Sequence, residues 1–185
     1  MSEIVKVPVL PVWQPWAWYL VRGHEHPGGK RVENRSRPLP KTLAGRWCLI
    51  HATTTPGMRG RRRRVMSKGL AAAFFDALRI AQRAGLYASG GTVAEWNAVI
   101  DDLHFGGLVG AVKFDGEVRA GDDERVCCYD LAALRSPWFS GPVGWTTVDA
   151  KPLPFVAFAA HQGINYVPLA DLPAEYRELI EALEG

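Results

Sequence analysis

The sequence predicts a mixed α+β domain: a small barrel of mixed or antiparallel strands, with flanking helices and a helical insertion. Three observations carry this. Short, non-repeating strand-like runs recur at Gly/Pro-rich intervals along most of the chain. Two helix-periodic segments interrupt them near the middle. Strand-to-helix alternation is too sparse for a doubly wound parallel sheet.

The elements follow in chain order. Val5 to Val12 alternates weakly and opens the first strand. Pro15 suits a first helical turn and Gly23 a helix end, so PWAWYLVR, Pro15 to Arg22, is a short buried helix. Arg31 to Arg35 is a strand, and so is GRWCLIHA, Gly45 to Ala52, with Trp47, Leu49 and Ile50 turned inward. Thr53 to Gly60 is loop. Met66, Leu70, Phe74, Ala77 and Ala81 keep helical spacing until Gly85. Thr92 with Glu95 forms a capping box that opens a second helix to about Asp102. Strands are expected at Leu108 to Phe114, Val126 to Tyr129, Gly144 to Val148, Pro154 to Ala157 and Ile164 to Pro168. Asp171 and Pro173 start a last helix, with Tyr176, Leu179, Ile180 and Leu183 on one apolar face. The expected organisation is one domain over residues 1–185, with its insertion at about 53–105 and its C-terminal helix at about 171–184.

Composition narrows the function classes. With 48% hydrophobic residues, seven Trp and seven Phe, the chain can bury a real core. No apolar run approaches the ~20 residues of a membrane span, and no signal peptide precedes the first strand, so no membrane partner is expected. Three cysteines without a CxxC point to a reduced, cytoplasmic protein with no zinc site. His24-x-His26 sits in a flexible Pro/Gly loop rather than a metal site. No metal or cofactor is expected. No nucleophile motif of the Gly-x-Ser-x-Gly kind occurs, and Gly90-Gly91-Thr92 lacks the lysine of a phosphate loop.

The net charge of +3 hides a split. Met1 to Gly69 carries fourteen Lys/Arg against three Asp/Glu, a net +11; the remainder carries eight against sixteen, a net −8. A basic face is an electrostatic footprint for phosphates, and the acidic half is a surface for a protein partner. Arg59 and Arg61, Arg62, Arg63 and Arg64 read as a phosphate-binding loop, because cations preceding a helix oppose its dipole and so are not there as caps.

Two constellations carry chemistry. In GGKRVENRSRP, Glu33 and Arg35 share one strand face, with Arg31 and Arg37 in the same parity. Lys30 has the opposite parity, but the adjacent glycines let it turn to the same side. An arginine keeps Glu33 ionised, and a nearby carboxylate positions a lysine for proton transfer. The alternative is a solvated ion-pair ladder of little energetic weight. In WQPWAW, Trp13 and Trp16 offer an aromatic wall for a base and Gln14 an amide to read its edge, against plain core packing of a short helix.

With these residues placed, the chain resembles the ASCH family (activating signal cointegrator homology), part of the PUA-like superfamily. The resemblance rests on Gln14-Pro15-Trp16-Ala17 followed by Gly28-x-Lys30-x-x-Glu33-x-Arg35, then GRWCLIHA, then SPWFSGPVGW at Ser136 to Trp145. It covers roughly residues 7–52 and 107–169. It implies an ASCH-type PUA-like barrel whose cleft, over the motif, is formed by Trp13, Gln14, Trp16, Lys30, Glu33 and Arg35. It also implies a nucleic-acid-binding module for RNA ahead of DNA, or for a modified base. Phosphates would lie on Arg31, Arg37, Arg59 and Arg61 to Arg64. A smaller branch of the family is similar to amidohydrolases of N4-acylated cytosine nucleosides, and some members are ribonucleases; there Lys30 and Glu33 would be catalytic. Two features depart from the family pattern. Gly23 ends the helix and His24 to Pro27 intervene before Gly28, whereas in many members one glycine does both. The amidohydrolase branch carries threonine where this chain has Glu33.

Overall fold

A computed structural model describes residues 5–53, 68–86, 93–122 and 131–184. The elements are β1 (Lys6–Trp13), α1 (Trp16–Val21), β2 (Val32–Arg35), β3 (Trp47–Thr53), α2 (Lys68–Arg83), α3 (Val93–Asp101), β4 (Gly107–Arg119), α4 (Leu131–Leu134), β5 (Val143–Ala157), β6 (Asn165–Pro168), a 3-10 turn (Leu169–Asp171) and α5 (Ala174–Glu184). The α+β class is as expected. Thr53, expected to open a loop, is the last residue of β3; the rest of that loop (54–60), the expected strand at Val126 to Tyr129, the Thr92 cap and the run of Arg59 and Arg61 to Arg64 fall outside the residues whose arrangement is described.

The strands form one six-stranded sheet in the order β2-β5-β4-β3-β1-β6. The β1–β3 pair is parallel, with Val9 opposite Leu49; the other pairs are antiparallel. The two runs expected at Gly144 to Val148 and Pro154 to Ala157 are one strand, β5. Its prolines read as a break in sequence, but Pro152 pairs with Gly110 where the ladder with β4 shifts register, and such irregular positions tolerate a residue without an N–H.

Both faces of the sheet's centre are covered, and β3 shows why. Cys48, Ile50 and Ala52 join Leu10, Val12, Leu20 and Val21 on the α1 face. Trp47 and Leu49 join Val7, Val9, Tyr176 and Ile180 under α5 on the other. Trp47, Leu49 and Ile50 are all buried, as expected, with Ile50 on the face opposite the other two. Alternation sends successive residues to opposite faces, and here both are buried, so the strand reads as a continuous apolar run. Tyr176 and Ile180 are almost wholly buried, which stabilises the seating of α5 by about 1.5–3 kcal/mol for a side chain such as isoleucine. The insertion helices α2 and α3 pack outside α1: Ala77 and Ala81 meet Tyr19, and Phe74, Leu78 and Val99 surround Trp18. Among the described residues, no helix is long and apolar enough to cross a membrane.

One end of the sheet, β2, comes close to β1, the strand next to its other end. Four strand steps separate β2 from β1, which in a flat sheet would be roughly 19 Å. Yet Arg35 on β2 donates from Nη2 to the Pro11 carbonyl of β1 at 3.2 Å. The sheet therefore curls. Among the described residues no backbone ladder joins β2 to β1, so the approach leaves a seam bridged by side chains.

Candidate functional site

The seam holds a cavity of about 390 Å³, within the size range of small-ligand sites. Pro11 and Trp13 of β1, Trp16 of α1, and Lys30, Glu33, Asn34 and Arg35 of the β2 segment line it, with Ile80 of α2 and Ser140 at its margin.

Lys30 reaches the seam because of the loop before it. A Cβ on Gly29 would meet the Gly23 carbonyl oxygen at 2.1 Å, and one on Gly28 would meet the Ala84 carbonyl oxygen at 1.8 Å. Only glycine permits these approaches. The four residues between Gly23 and Gly28 are thus folded into a clasp, closed by the Gly29 N–H to the His26 carbonyl at 3.0 Å. The helix-ending Gly23 and Gly29 lie in contact despite the intervening residues, while Gly28 packs against Ala84.

Lys30 is 1% exposed. Its Nζ donates to the Val32 carbonyl at 2.5 Å and to Glu33 Oε2 at 2.6 Å, two of the three donors an ammonium has. Glu33 is also buried, and its Oε1 forms an ion pair with Arg35 Nη2 at 3.1 Å. The Arg35 guanidinium lies 5.4 Å from the Trp145 ring centre, and its Nε is buried without a hydrogen-bond partner among the described residues. The Lys30 pKa is lowered below the ordinary lysine value. Burial is the main cause; Glu33 opposes it and Arg35 adds to it. The floor is therefore a Lys–Glu–Arg network in which Lys30 and Glu33 are buried, rich in donors and holding an amine more easily deprotonated than usual.

The aromatic wall is asymmetric. Trp13 is 56% exposed. Trp16 is partly buried and meets Trp138 edge-on at 6.3 Å. Trp18 faces away, its Nε1 donating to Asp102 Oδ2 at 2.7 Å under the Arg22 guanidinium.

Gln14 is not part of the cleft. It is 2% exposed; its Oε1 accepts the Trp18 N–H at 3.0 Å and its Nε2 donates to the His104 carbonyl at 2.9 Å. A helix start has unpaired N–H groups, and Pro15 at the cap has no side-chain acceptor, so Gln14 supplies one instead of reading a base edge. Arg31 also departs. Despite the parity it shares with Glu33, it precedes β2, and its Nε is tied to the Gly23 carbonyl at 3.2 Å outside the seam. Arg37 is exposed beyond the strand end, its carbonyl accepting from Trp145 Nε1 at 2.9 Å. His24 bonds Thr147 Oγ1 rather than pairing with His26, and its pKa is lowered by burial, with Arg31 adding to the effect.

Asn34 was missed. Alternation sends it to the face opposite Glu33, but at an edge strand both faces can reach the seam. Its Nδ2 donates to the Trp138 carbonyl at 2.8 Å and its Oδ1 accepts the Ser140 N–H at 3.0 Å. It thereby fixes Trp138 to Ser140 against the cleft. The only sequence signal was an uncharged amide set among charges. No protein-family model matches the chain, and no curated protein matches it in sequence.

Proposed function

We propose that this is a nucleic-acid-binding module of the ASCH type, RNA ahead of DNA, which seats a single base, modified or not, in the seam cleft. The observation that carries this is the pairing of a largely exposed tryptophan with a buried charged floor in one cavity. Among the described residues Trp13 joins no apolar cluster and is 56% exposed, and base–aromatic stacking contributes about 1–3 kcal/mol per base. The donors of Lys30 and Arg35 suit the carbonyl and ring-nitrogen acceptors of a base, while the Glu33 carboxylate suits an exocyclic amine. The curl of the sheet supports the PUA-like barrel of the resemblance, with the cleft at its seam.

The test is fluorescence anisotropy with short single-stranded RNA and DNA. Trp13→Ala should weaken binding about 5- to 100-fold and leave the urea midpoint unchanged, since the side chain is exposed. Unchanged affinity would remove the basis of the proposal.

One observation favours an enzymatic reading: the depressed amine of Lys30 at 2.6 Å from Glu33 is arranged for proton transfer. N4-acetylcytidine hydrolysis by the wild type, lost in Lys30→Met while the protein stays folded, would establish the amidohydrolase alternative. Cleavage of the RNA strand would point to a ribonuclease instead.

A further inference from the structure

The charged side chains of the cleft form an ordered row. Glu33 stands between two donors: its Oε2 accepts from Lys30 Nζ at 2.6 Å, and its Oε1 faces Arg35 Nη2 at 3.1 Å. All three residues line one cavity. Across the floor the row is therefore donor, acceptor, donor. Each member has hydrogen-bonding capacity beyond the bonds that hold it. Lys30 uses two of the three N–H groups of an ammonium, on Glu33 and on the Val32 carbonyl. The Arg35 bond to Pro11 and its ion pair with Glu33 both involve Nη2, one of three nitrogens in a guanidinium that share its donors. A carboxylate accepts at about four lone-pair positions, more than these two partners take up.

The row is held in place before any ligand arrives. The glycine clasp sets Lys30, the ladder with β5 places Glu33 opposite Trp145, and Arg35 is tied to the Pro11 carbonyl of β1. Asn34, beside them, is bonded at both ends to the Trp138 to Ser140 segment and serves the wall. Stacking on Trp13 does not choose among bases, since every base has an aromatic face. The choice falls to the base edge that meets the row.

A donor, acceptor, donor row complements an edge that reads acceptor, donor, acceptor. The Watson–Crick edge of uracil has that order, with the ring imide N–H between two carbonyl oxygens, and thymine shares it. Cytosine presents an amine, a ring-nitrogen acceptor and a carbonyl; with its amine on Glu33, one flanking donor lies off the edge. Guanine presents a carbonyl, a ring N–H and an amine, so its amine would face a donor. Adenine offers an amine and one ring-nitrogen acceptor, with no third group. A donor left unpaired in a buried site costs affinity.

We propose that the cleft is specific for an imide base of the uracil type, with Lys30 and Arg35 donating to its two carbonyls and Glu33 accepting its ring N–H. This rests on the base-binding reading of the cleft and narrows the ligand within it.

The test uses short single-stranded RNAs in which one base type alternates with abasic residues. Their affinities for the wild type and for Trp13→Ala are read by fluorescence anisotropy. The uridine strand should bind the wild type about 5- to 150-fold more tightly than the cytidine, adenosine or guanosine strands. N3-methyluridine replaces the imide N–H by a methyl group and keeps both carbonyls, so it should erase that advantage. The decisive change is made in the ligand, which leaves the fold of the protein untouched. Equal affinity for the four bases, a preference for another base, or equal affinity for uridine and N3-methyluridine, with binding still weakened in Trp13→Ala, overturns this proposal and leaves the cleft reading standing. Unchanged affinity in Trp13→Ala overturns the cleft reading and this proposal with it. No binding of any strand by the wild type overturns both.

Discussion

The same local pattern, Glu-x-Arg on a strand, occurs twice in this molecule, with opposite results. Glu33 and Arg35 on β2 lie opposite Trp145 and Val143 of β5; Glu117 and Arg119 on β4 lie opposite the same two residues from the other side. Each pair is an ion pair, at 3.1 Å and 2.5 Å. Arg119 is solvent-exposed, and Glu117 is steadied by the Leu39 N–H at 2.5 Å. Burial pushes the Glu117 pKa up, but that N–H and Arg119 outweigh it and hold the carboxyl below its ordinary value. This is a surface pair that also pins a loop. Glu33 is enclosed by Lys30 below and by the Arg35 bridge to Pro11 beside it. Alternation and charge are equal in the two strands. The difference is cover: at Glu117 and Arg119 β4 has run past its pairing with β3, which stops at Lys113, and keeps only β5 beside it, whereas β2 ends the sheet and curls over onto β1.

The comparison can be broken first at Lys30. Lys30→Ala removes a buried partner and its stem, and should destabilise by about 3–5 kcal/mol in urea denaturation. Lys30→Met/Glu33→Met should recover most of that loss, since replacing a buried pair by apolar groups is often neutral. A double variant no more stable than the single one would contradict the picture of a buried pair. The pH dependence comes next. The folded Lys30 pKa lies below its unfolded value of 10.5, so between the two the unfolded chain binds one more proton and stability rises with pH. The urea midpoint of the wild type, taken relative to Lys30→Met, should therefore climb through that alkaline window; a flat difference would mean the amine is hydrated. The smallest effect belongs to the other strand. Arg119→Ala should leave the midpoint where it was, because an exposed ion pair adds little; a large loss would erase the contrast between the two pairs.

Much of the fold was legible because it depends on neighbours a few residues apart. Phe74, Ala77 and Ala81 at helical spacing are buried on α2, and Tyr176 and Ile180 are buried on α5. The prolines of β5 misled, because a register shift in the partner strand is not a local property. For the site, Lys30, Glu33, Arg35, Trp13 and Trp16 were legible and do line one cavity. Gln14 failed because a helix cap and a recognition amide look alike in sequence. Asn34 was missed because its partners Trp138 and Ser140 are more than a hundred residues away.

By itself, the sequence determined the periodicity of each helix and most strands, the face shared by Glu33 and Arg35, and the glycines that only a close backbone approach can use. The tertiary structure alone decided which charged strand became a cleft floor and which tryptophan stayed exposed. Those outcomes depend on how far the sheet curls and on what α1, α2 and the Ser136 to Ser140 segment then cover. Curl is summed over the five strands from β2 to β1 and their register shifts, and no short stretch of sequence contains that sum.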